Sequence, residues 1–402
     1  MLRKLYLLFT TVLITAVAFA QTGTLKGTVL DGLSGEAIPF ANVIIERNGT
    51  QTAGTTTDFD GKFTIKPIEP GTYTVKATFV GYQNFVMTGL IISANKITFQ
   101  DLKLSSGIQK GEVVIVEYKK PLIDQDNITG ETKTAEEIVA MPTRSVASVA
   151  ATTAGIYQRD EGESLNVRGS RSDATDYYID GIKVRGTLGI PQSAIEQITV
   201  MTGGLPAQYG DATAGIISIT TKGPSNKFFG GAEVESSSLF DKYNKNILGL
   251  NLSGPILKKR NDDGTKGNSI IGYFFSGEFR MVDDSDPSAI GNWKIKQKKL
   301  DWLKDNPFRP APDVSAGFLQ EAEFVQISDL EKVQARQNVA QKRISISGKL
   351  DFKPSKTTFL SLGGNYYYNT GHSYTRTYSL FNSNNNAQSI SNTWRVFGKL
   401  TQ

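Results

Sequence analysis

The sequence holds no cysteine and a single histidine, His372. Without cysteine there is no disulfide, no lipid-modified N-terminal thiol, no iron–sulfur cluster and no thiolate zinc site. One histidine removes the multi-histidine metal centres. No nucleophile–base set or metal-ligand cluster stands out either, so no enzyme chemistry, metal or cofactor is expected. Charge is scarce too. Only 21% of residues are charged, and 44 Lys and Arg against 39 Asp and Glu leave a net +5. That balance is too mild for nucleic acid as a partner. What is plentiful is glycine, 39 in 402 residues, together with 10% aromatics. The mixture suits a mainly β protein with many turns.

Long apolar runs are also missing, with one exception at the N-terminus. Arg3 and Lys4 precede an apolar stretch from Leu5 to about Val17, and Ala18-Phe19-Ala20 follows. The stretch falls short of the ~20 residues a membrane-spanning helix needs. A charged start, a short apolar run and small residues at the end predict a signal peptide over residues 1–20, cleaved between Ala20 and Gln21. The lysines of 294–299 read as a solvated loop rather than a binding patch.

Residues 21–105 are short β runs broken by turn residues. Gly27–Asp31, Asn42–Glu46, Lys62–Lys66 and Thr72–Phe79 are separated by Asp58-Phe59-Asp60-Gly61 and Pro70-Gly71. Tyr73, Val75, Ala77 and Phe79 share one face of the last run. Strands about every ten residues with Asp-Gly and Pro-Gly turns predict a small antiparallel β-sandwich. Asp58–Gly61 lacks the further acidic ligands of a calcium loop and reads as a hairpin turn. Gly27–Asp31, Ala41-Asn42-Val43, Thr57–Phe63, Gly71-Thr72-Tyr73 and Gly81-Tyr82 resemble the carboxypeptidase regulatory-like domain. That module carries no catalytic residues.

Residues 106–223 are mixed. Thr134 followed by Glu137 predicts a capped short helix stopped by Pro142, and a second helix is expected over Ser145–Thr152. Strands follow at Ser164–Arg168, Asp176–Asp180, Ile195–Thr202 and Gly215–Thr221. Leu165–Gly169, Tyr177–Ile182, Ile195–Ile198, Pro206–Ala212 and Gly215–Lys222 resemble the plug domain of TonB-dependent outer-membrane receptors. Gly169, Gly181 and Gly210 stand where strands must turn sharply, and glycine alone takes positive φ cheaply. Arg168 and Asp180 end neighbouring strands and form a candidate ion pair. With Tyr209, these residues make up the expected structural motif of the plug.

Residues 224–402 alternate with period two. In Ile344–Lys353 the even positions are Ile, Ile, Gly, Leu and Phe, and the odd ones are Ser, Ser, Lys, Asp and Lys. Leu248, Leu250 and Leu252 oppose Gly249, Asn251 and Ser253, and Trp394, Val396 and Leu400 oppose Arg395, Lys399 and Thr401. A water-soluble sheet shows the same pattern, so one strand decides nothing. Six strands are predicted, near 227–236, 247–257, 269–280, 342–353, 357–369 and 390–401. Short connections at 261–264 and 353–356 alternate with long ones near 281–341 and 370–389, as in outer-membrane barrels with short periplasmic turns. Tyr366–Tyr368 and Trp394 are candidate girdle residues. Asp283-Asp284-Ser285-Asp286 reads as a solvated acidic loop.

The resemblance implies a fold of β-sandwich, mixed α/β plug and the first strands, about six, of a large transmembrane β-barrel. It implies import of a bulky solute across the outer membrane, gated by the plug and energised through TonB and its inner-membrane motor complex. The sandwich would lie in the periplasm and the barrel in outer-membrane lipid. Plugged barrels of this kind have about 22 strands, and open sheet edges are not tolerated in hydrocarbon, so the chain is expected to continue well past Gln402. The substrate is open among an iron complex, a peptide or protein, and a glycan, and a surface lipoprotein is a possible partner. Gln208–Ala212 departs from the Ala-Ile-Tyr-Gly-Ser-Arg stretch of starch-utilisation glycan importers. The alternative is a surface assembly or adhesion protein that uses the barrel as an anchor. The run Glu112-Val113-Val114-Ile115-Val116, between sandwich and plug, resembles the TonB box of the family. An extended β-branched segment can pair edge to edge with a strand of TonB. The other reading of Val113–Val116 is the last strand of the sandwich or the first of the plug.

Overall fold

The computed structural model describes residues 22–105, 113–118, 129–161, 163–185, 188–260, 266–312, 317–354 and 358–401. The expected signal peptide, its Ala20–Gln21 cleavage point and Glu112 lie outside the described residues.

The sandwich is built from β1 (Gly23–Asp31), β2 (Asn42–Arg47), β3 (Thr50–Thr56), β4 (Lys62–Ile68), β5 (Gly71–Thr78), β6 (Asn84–Ile92), β7 (Ile97–Phe99), β8 (Leu102–Leu104) and β9 (Val113–Glu117). One sheet runs β4-β1-β7 with β8 also on β1, and the other runs β3-β2-β5-β6-β9. Antiparallel pairs form the centre, while β7, β8 and β9 add in parallel at the margins. Alternate residues of β5 point inward, and Tyr73, Val75 and Ala77 join Val29, Ile45, Leu90 and Leu102 in one buried core. The β3–β4 connection is the expected Asp-Gly turn. Asp58 Oδ1 accepts from the Asp60 and Lys62 N–H groups, and Gly61 takes φ +70°.

The plug begins with β10 (Thr129–Thr134), α1 (Ala135–Ala140) and α2 (Val146–Ala150). Thr134 and Glu137 cap α1 reciprocally, and Ser145 caps α2. A hairpin of β11 (Ile156–Gln158) and β12 (Leu165–Val167) follows. Next come β13 (Thr175–Ile179), β14 (Ile182–Val184), β15 (Ile195–Gly203) and β16 (Gly215–Thr221). The main sheet has the order β10-β15-β16-β13-β14, with β13 parallel to β16. Every residue of β16 is buried. The helices cover one sheet face through Ile138 and Val149, and Tyr178, Met201 and Tyr209 cover the other.

The third part is a six-stranded antiparallel wall in sequence order. Its strands are β17 (Phe229–Ser236), β18 (Asn246–Arg260), β19 (Lys266–Val282), β24 (Gln341–Phe352), β25 (Phe359–His372) and β26 (Gln388–Thr401). Between β19 and β24 lie β20 (Asn292–Ile295), α3 (Gln297–Asp305), β21 (Phe308–Pro310), β22 (Phe318–Gln320) and β23 (Leu330–Val333).

Register separates the two faces of the wall. Leu250, Gly277, Ile346, Tyr366 and Trp394 stand in one cross-strand row, and Leu252, Phe275, Gly348, Gly364 and Val396 in the next on that face. The opposite face carries Asn251, Ser276, Ser347, Asn365 and Arg395, and beyond them Ser361 and Asp351. The apolar rows are exposed, with Val396 at 87% and Trp394 at 70%, whereas Ser276 and Ser361 are at 0% and 1%. A water-soluble sheet has the reverse arrangement. Polar residues buried against a plug, with apolar residues facing out, are the lumen and lipid faces of a membrane barrel. Tyr366 packs on Trp394 on the outer face, ring centroids 4.2 Å apart. Tyr367 points the other way and is buried.

Candidate functional site

The run read as a coupling segment is the last strand of the sandwich. Val113–Glu117 pair in parallel with Asn84–Thr88 of β6, and the Tyr118 N–H donates to the Thr88 carbonyl at 2.8 Å. The Tyr118 ring packs on the sandwich core. The sandwich therefore does not close at Leu104. Strand β6 is nine residues long, and β5 occupies only one of its edges, so the other accepts β9. No further strand pairs with β9 among the described residues. Its outer edge is open among the described residues, and Ile115, Val116 and Glu117 are exposed, Ile115 at 71%.

The plug motif residues divide into two turns. Arg168 and Gly169 take φ +49° and +77° at the end of β12; Asp180 and Gly181 take +49° and +91° between β13 and β14. Asp180 does not pair with Arg168, contrary to the sequence reading. Its carboxylate accepts from the Thr221 N–H at 2.9 Å and the Thr221 hydroxyl at 2.5 Å, and Lys349 of the wall lies 3.5 Å away. The reason is local. The Asp180 N–H is fixed on Ile219 O, which aims the side chain along β16, while the Arg168 N–H is fixed on Gly155 O. The Arg168 guanidinium instead lies over Gly203, where an added Cβ would come within 3.0 Å. Gly210 also departs from expectation. Its φ is −62°, the right-handed closure of the one-turn helix Ala207–Tyr209, so positive φ is not its role. Tyr209 stacks edge-on against Tyr178 at 4.8 Å, and its hydroxyl accepts from Asn95 of the sandwich at 2.8 Å.

Charged groups that the motifs did not single out hold plug and wall together. Arg144, just ahead of α2, reaches Glu233 and Glu235 of β17 and Glu278 of β19, with 3.2 Å to Glu278 and 3.4 Å to Glu235. Ser193 meets Ser276 at 2.7 Å, and Arg395 donates to Leu188 O at 2.8 Å. Gly189, at φ +57°, lies flat against Tyr367, where a Cβ would intrude to 2.5 Å. Glu278 and Lys349 occupy lumen-facing positions of their strands. A charge on the non-lipid face of a barrel strand is the sequence signal by which they could have been found.

The long β19–β24 connection is folded rather than open. Strands β20 and β23 pair, as do β21 and β22, and Lys294–Lys299 spans the end of β20 and the start of α3 instead of a loop. Asp284 corrects the solvated-loop reading. It is 2% exposed and accepts from the Arg336 N–H at 2.7 Å and from that guanidinium at 2.8 and 3.0 Å. Burial pushes its carboxyl up, but the Arg336 hydrogen bonds outweigh this and hold it below the usual range. Arg309 grips buried Glu321 in the same two-pronged way.

Comparison with known proteins agrees with this layout. The family model of the carboxypeptidase regulatory-like domain matches residues 24–105, and that of the TonB-dependent receptor plug domain matches residues 125–216. The TonB-dependent transporter Oar of Myxococcus xanthus is 28% identical over 235 residues, covering 54% of this chain and 22% of Oar. The TonB-dependent receptor SusC of Bacteroides thetaiotaomicron is 28% identical over 269 residues, covering 61% of this chain and 25% of SusC. The chain thus spans about a quarter of the length of these relatives. The crystal structure of the siderophore receptor PirA from Acinetobacter baumannii aligns with 67% of this chain and 37% of its own, at 16% identity and a TM-score of 0.42.

Proposed function

This chain belongs to the TonB-dependent receptor family, and from that premise we propose that it serves plug-gated import of a bulky solute across the outer membrane, energised through TonB. The observation that carries the reading is the inverted wall. Its apolar rows face outward, its polar rows are buried, and the plug is fastened into the polar side through Arg144, Asp180 and Ser193. A lumen filled by a domain has to be cleared before anything passes, which calls for energy delivered from outside the barrel.

The sandwich sits at the end of the wall where β24 turns into β25, because Lys353 reaches its Glu69. That is a short-turn end, so the sandwich lies in the periplasm. The coupling segment is residues 112–116. Its described strand, β9, keeps one edge open toward the periplasm, and an extended strand of TonB can add there through main-chain hydrogen bonds. The substrate is an iron complex, a peptide or protein, or a glycan. A surface lipoprotein would be a partner on the outer side.

Proline at Val114 removes a backbone donor and resists pairing. In a strain lacking the native copy, wild-type protein restores substrate-dependent growth. Val114→Pro inserts normally and binds substrate at the cell surface, but uptake is lost. Unchanged uptake would sink the assignment of the segment. Loss of adhesion or motility in the deletion strain, with uptake intact, would favour a barrel that serves only as an anchor.

A further inference from the structure

Three parts of the chain meet at the short-turn end of the wall, around a cavity of about 700 Å3. Arg47 ends β2 of the sandwich, and Glu69 lies in the turn between β4 and β5. Arg47 donates to Glu196 of plug strand β15 at 2.6 Å, across 149 residues of sequence. Glu69 accepts from Lys353 of the wall at 2.6 Å, across 284 residues. Arg47 and Glu69 are themselves 4.0 Å apart. The result is one chain of alternating charge, Glu196–Arg47–Glu69–Lys353, that runs from plug through sandwich to wall.

The surroundings fix this chain in place. The Tyr73 hydroxyl donates to Glu69 O at 2.7 Å, and its ring lies under the Arg47 guanidinium at 5.8 Å. Gly71 clears the way, since a Cβ there would meet Glu196 at 2.9 Å and Arg47 at 3.0 Å. A second set of contacts ties the sandwich to the same plug strands. Ser93 bonds Thr132 of β10 at 3.0 Å, and Thr132 meets Thr199 of β15 at 3.1 Å. Among the described residues, strand β10 is the edge of the plug sheet and the first plug element after the coupling segment.

We propose that the sandwich is a latch across the plug–wall seam, and that the Glu196–Arg47–Glu69–Lys353 chain must part before the plug can move. The plug cannot slide along the wall while one rigid domain holds both. Arg47 and Glu196 are mostly buried, at 22% and 15% side-chain exposure, so salt screens this link less than a surface pair. The latch goes beyond the transport reading and rests only on the arrangement of the three parts.

The test uses purified full-length receptor without TonB or substrate, so it stands or falls apart from the transport reading. Amide hydrogen exchange is followed in β10 and β15. Arg47→Glu speeds exchange there about tenfold, and reversing all four charges (Glu196→Arg, Arg47→Glu, Glu69→Lys and Lys353→Glu) restores the alternation and returns it to within about twofold of wild type. Glu69→Lys alone has the same effect as Arg47→Glu. Exchange in β1 and β5 shows whether the sandwich itself stays folded. Unchanged exchange in β10 with the single variants overturns the latch. So does failure of the fourfold reversal to restore it while the sandwich remains protected.

Discussion

Strand β5 of the sandwich and strand β24 of the wall carry the same period-two alternation with opposite burial. In β5 the apolar Tyr73, Val75 and Ala77 are buried. In β24 the apolar Leu350 and Phe352 are 48% and 40% exposed, and Ser345, Ser347 and Asp351 are the buried ones. A strand pattern therefore states only that two faces differ. Which face is covered depends on the partner layer: a second apolar sheet in the sandwich, a polar plug in the wall. The same chain must fold one half outward from an oily core and the other inward from an oily solvent.

The sharpest way to break this comparison is one substitution at the apolar row of each part. Val75→Arg places an unpaired charge in the sandwich core and costs about 4 kcal/mol or more, enough to unfold that domain. Leu250→Arg places the same charge on the lipid face and costs about 2–4 kcal/mol near mid-bilayer. Proteolysis of the N-terminal domain reads the first, and refolding into lipid vesicles reads the second. A neutral Leu250→Arg in lipid would mean that the outer rows meet water, and the barrel reading would fall.

The plug–wall seam comes next. Asp180 and Lys349 are 5% and 15% exposed on their side chains. Removing one partner of a buried pair leaves the other uncompensated, at about 3 kcal/mol. Asp180→Ala should lower the resistance of β16 to hydrogen exchange accordingly. Adding Lys349→Met should recover part of the loss, because the stranded cation is then gone. If the double variant is no better than the single, Asp180 acts through Thr221 alone.

How far the sequence reaches follows the distance between partners. The wall was legible because alternation is local: Ile344–Phe352 announces its faces, and all six strands lie where the pattern put them. The α1 cap was legible because Thr134 and Glu137 are three residues apart. Asp284 was not, since Arg336 stands 52 residues away and nothing near the aspartate hints at it. Arg47 and Glu196 are further apart still. Strand β9 stays open between linker and sandwich strand for a different reason. Its partner β6 is near, but a parallel edge strand after a turn-rich stretch looks the same as a free linker. Gly210 shows the limit of a residue-type argument, because a glycine can sit in ordinary right-handed geometry.

The smallest effect expected is that of mild acid on the latch, and it sharpens the contrast between the sandwich seam and an ordinary surface ion pair. Burial pushes the Glu69 carboxyl up, but Lys353, with its hydrogen bond, and Arg47 and Lys349 outweigh it and hold it at about 2, against an ordinary 4.5. A depressed carboxylate contributes fully above its unfolded value and loses that contribution as pH falls through its folded one. The seam should therefore be unchanged from neutral pH down to about 4.5 and open only between 4.5 and about 2. Residues 1–402 hold no cysteine, so spin labels on Lys66→Cys in the sandwich and Lys259→Cys in wall strand β18 report separation of the two. Lys353→Met removes the wall's partner for Glu69 and should leave the seam open already at neutral pH. An opening already complete at pH 5, or one that Lys353→Met leaves in place, would mean that Glu69 is not the group that holds the sandwich to the wall.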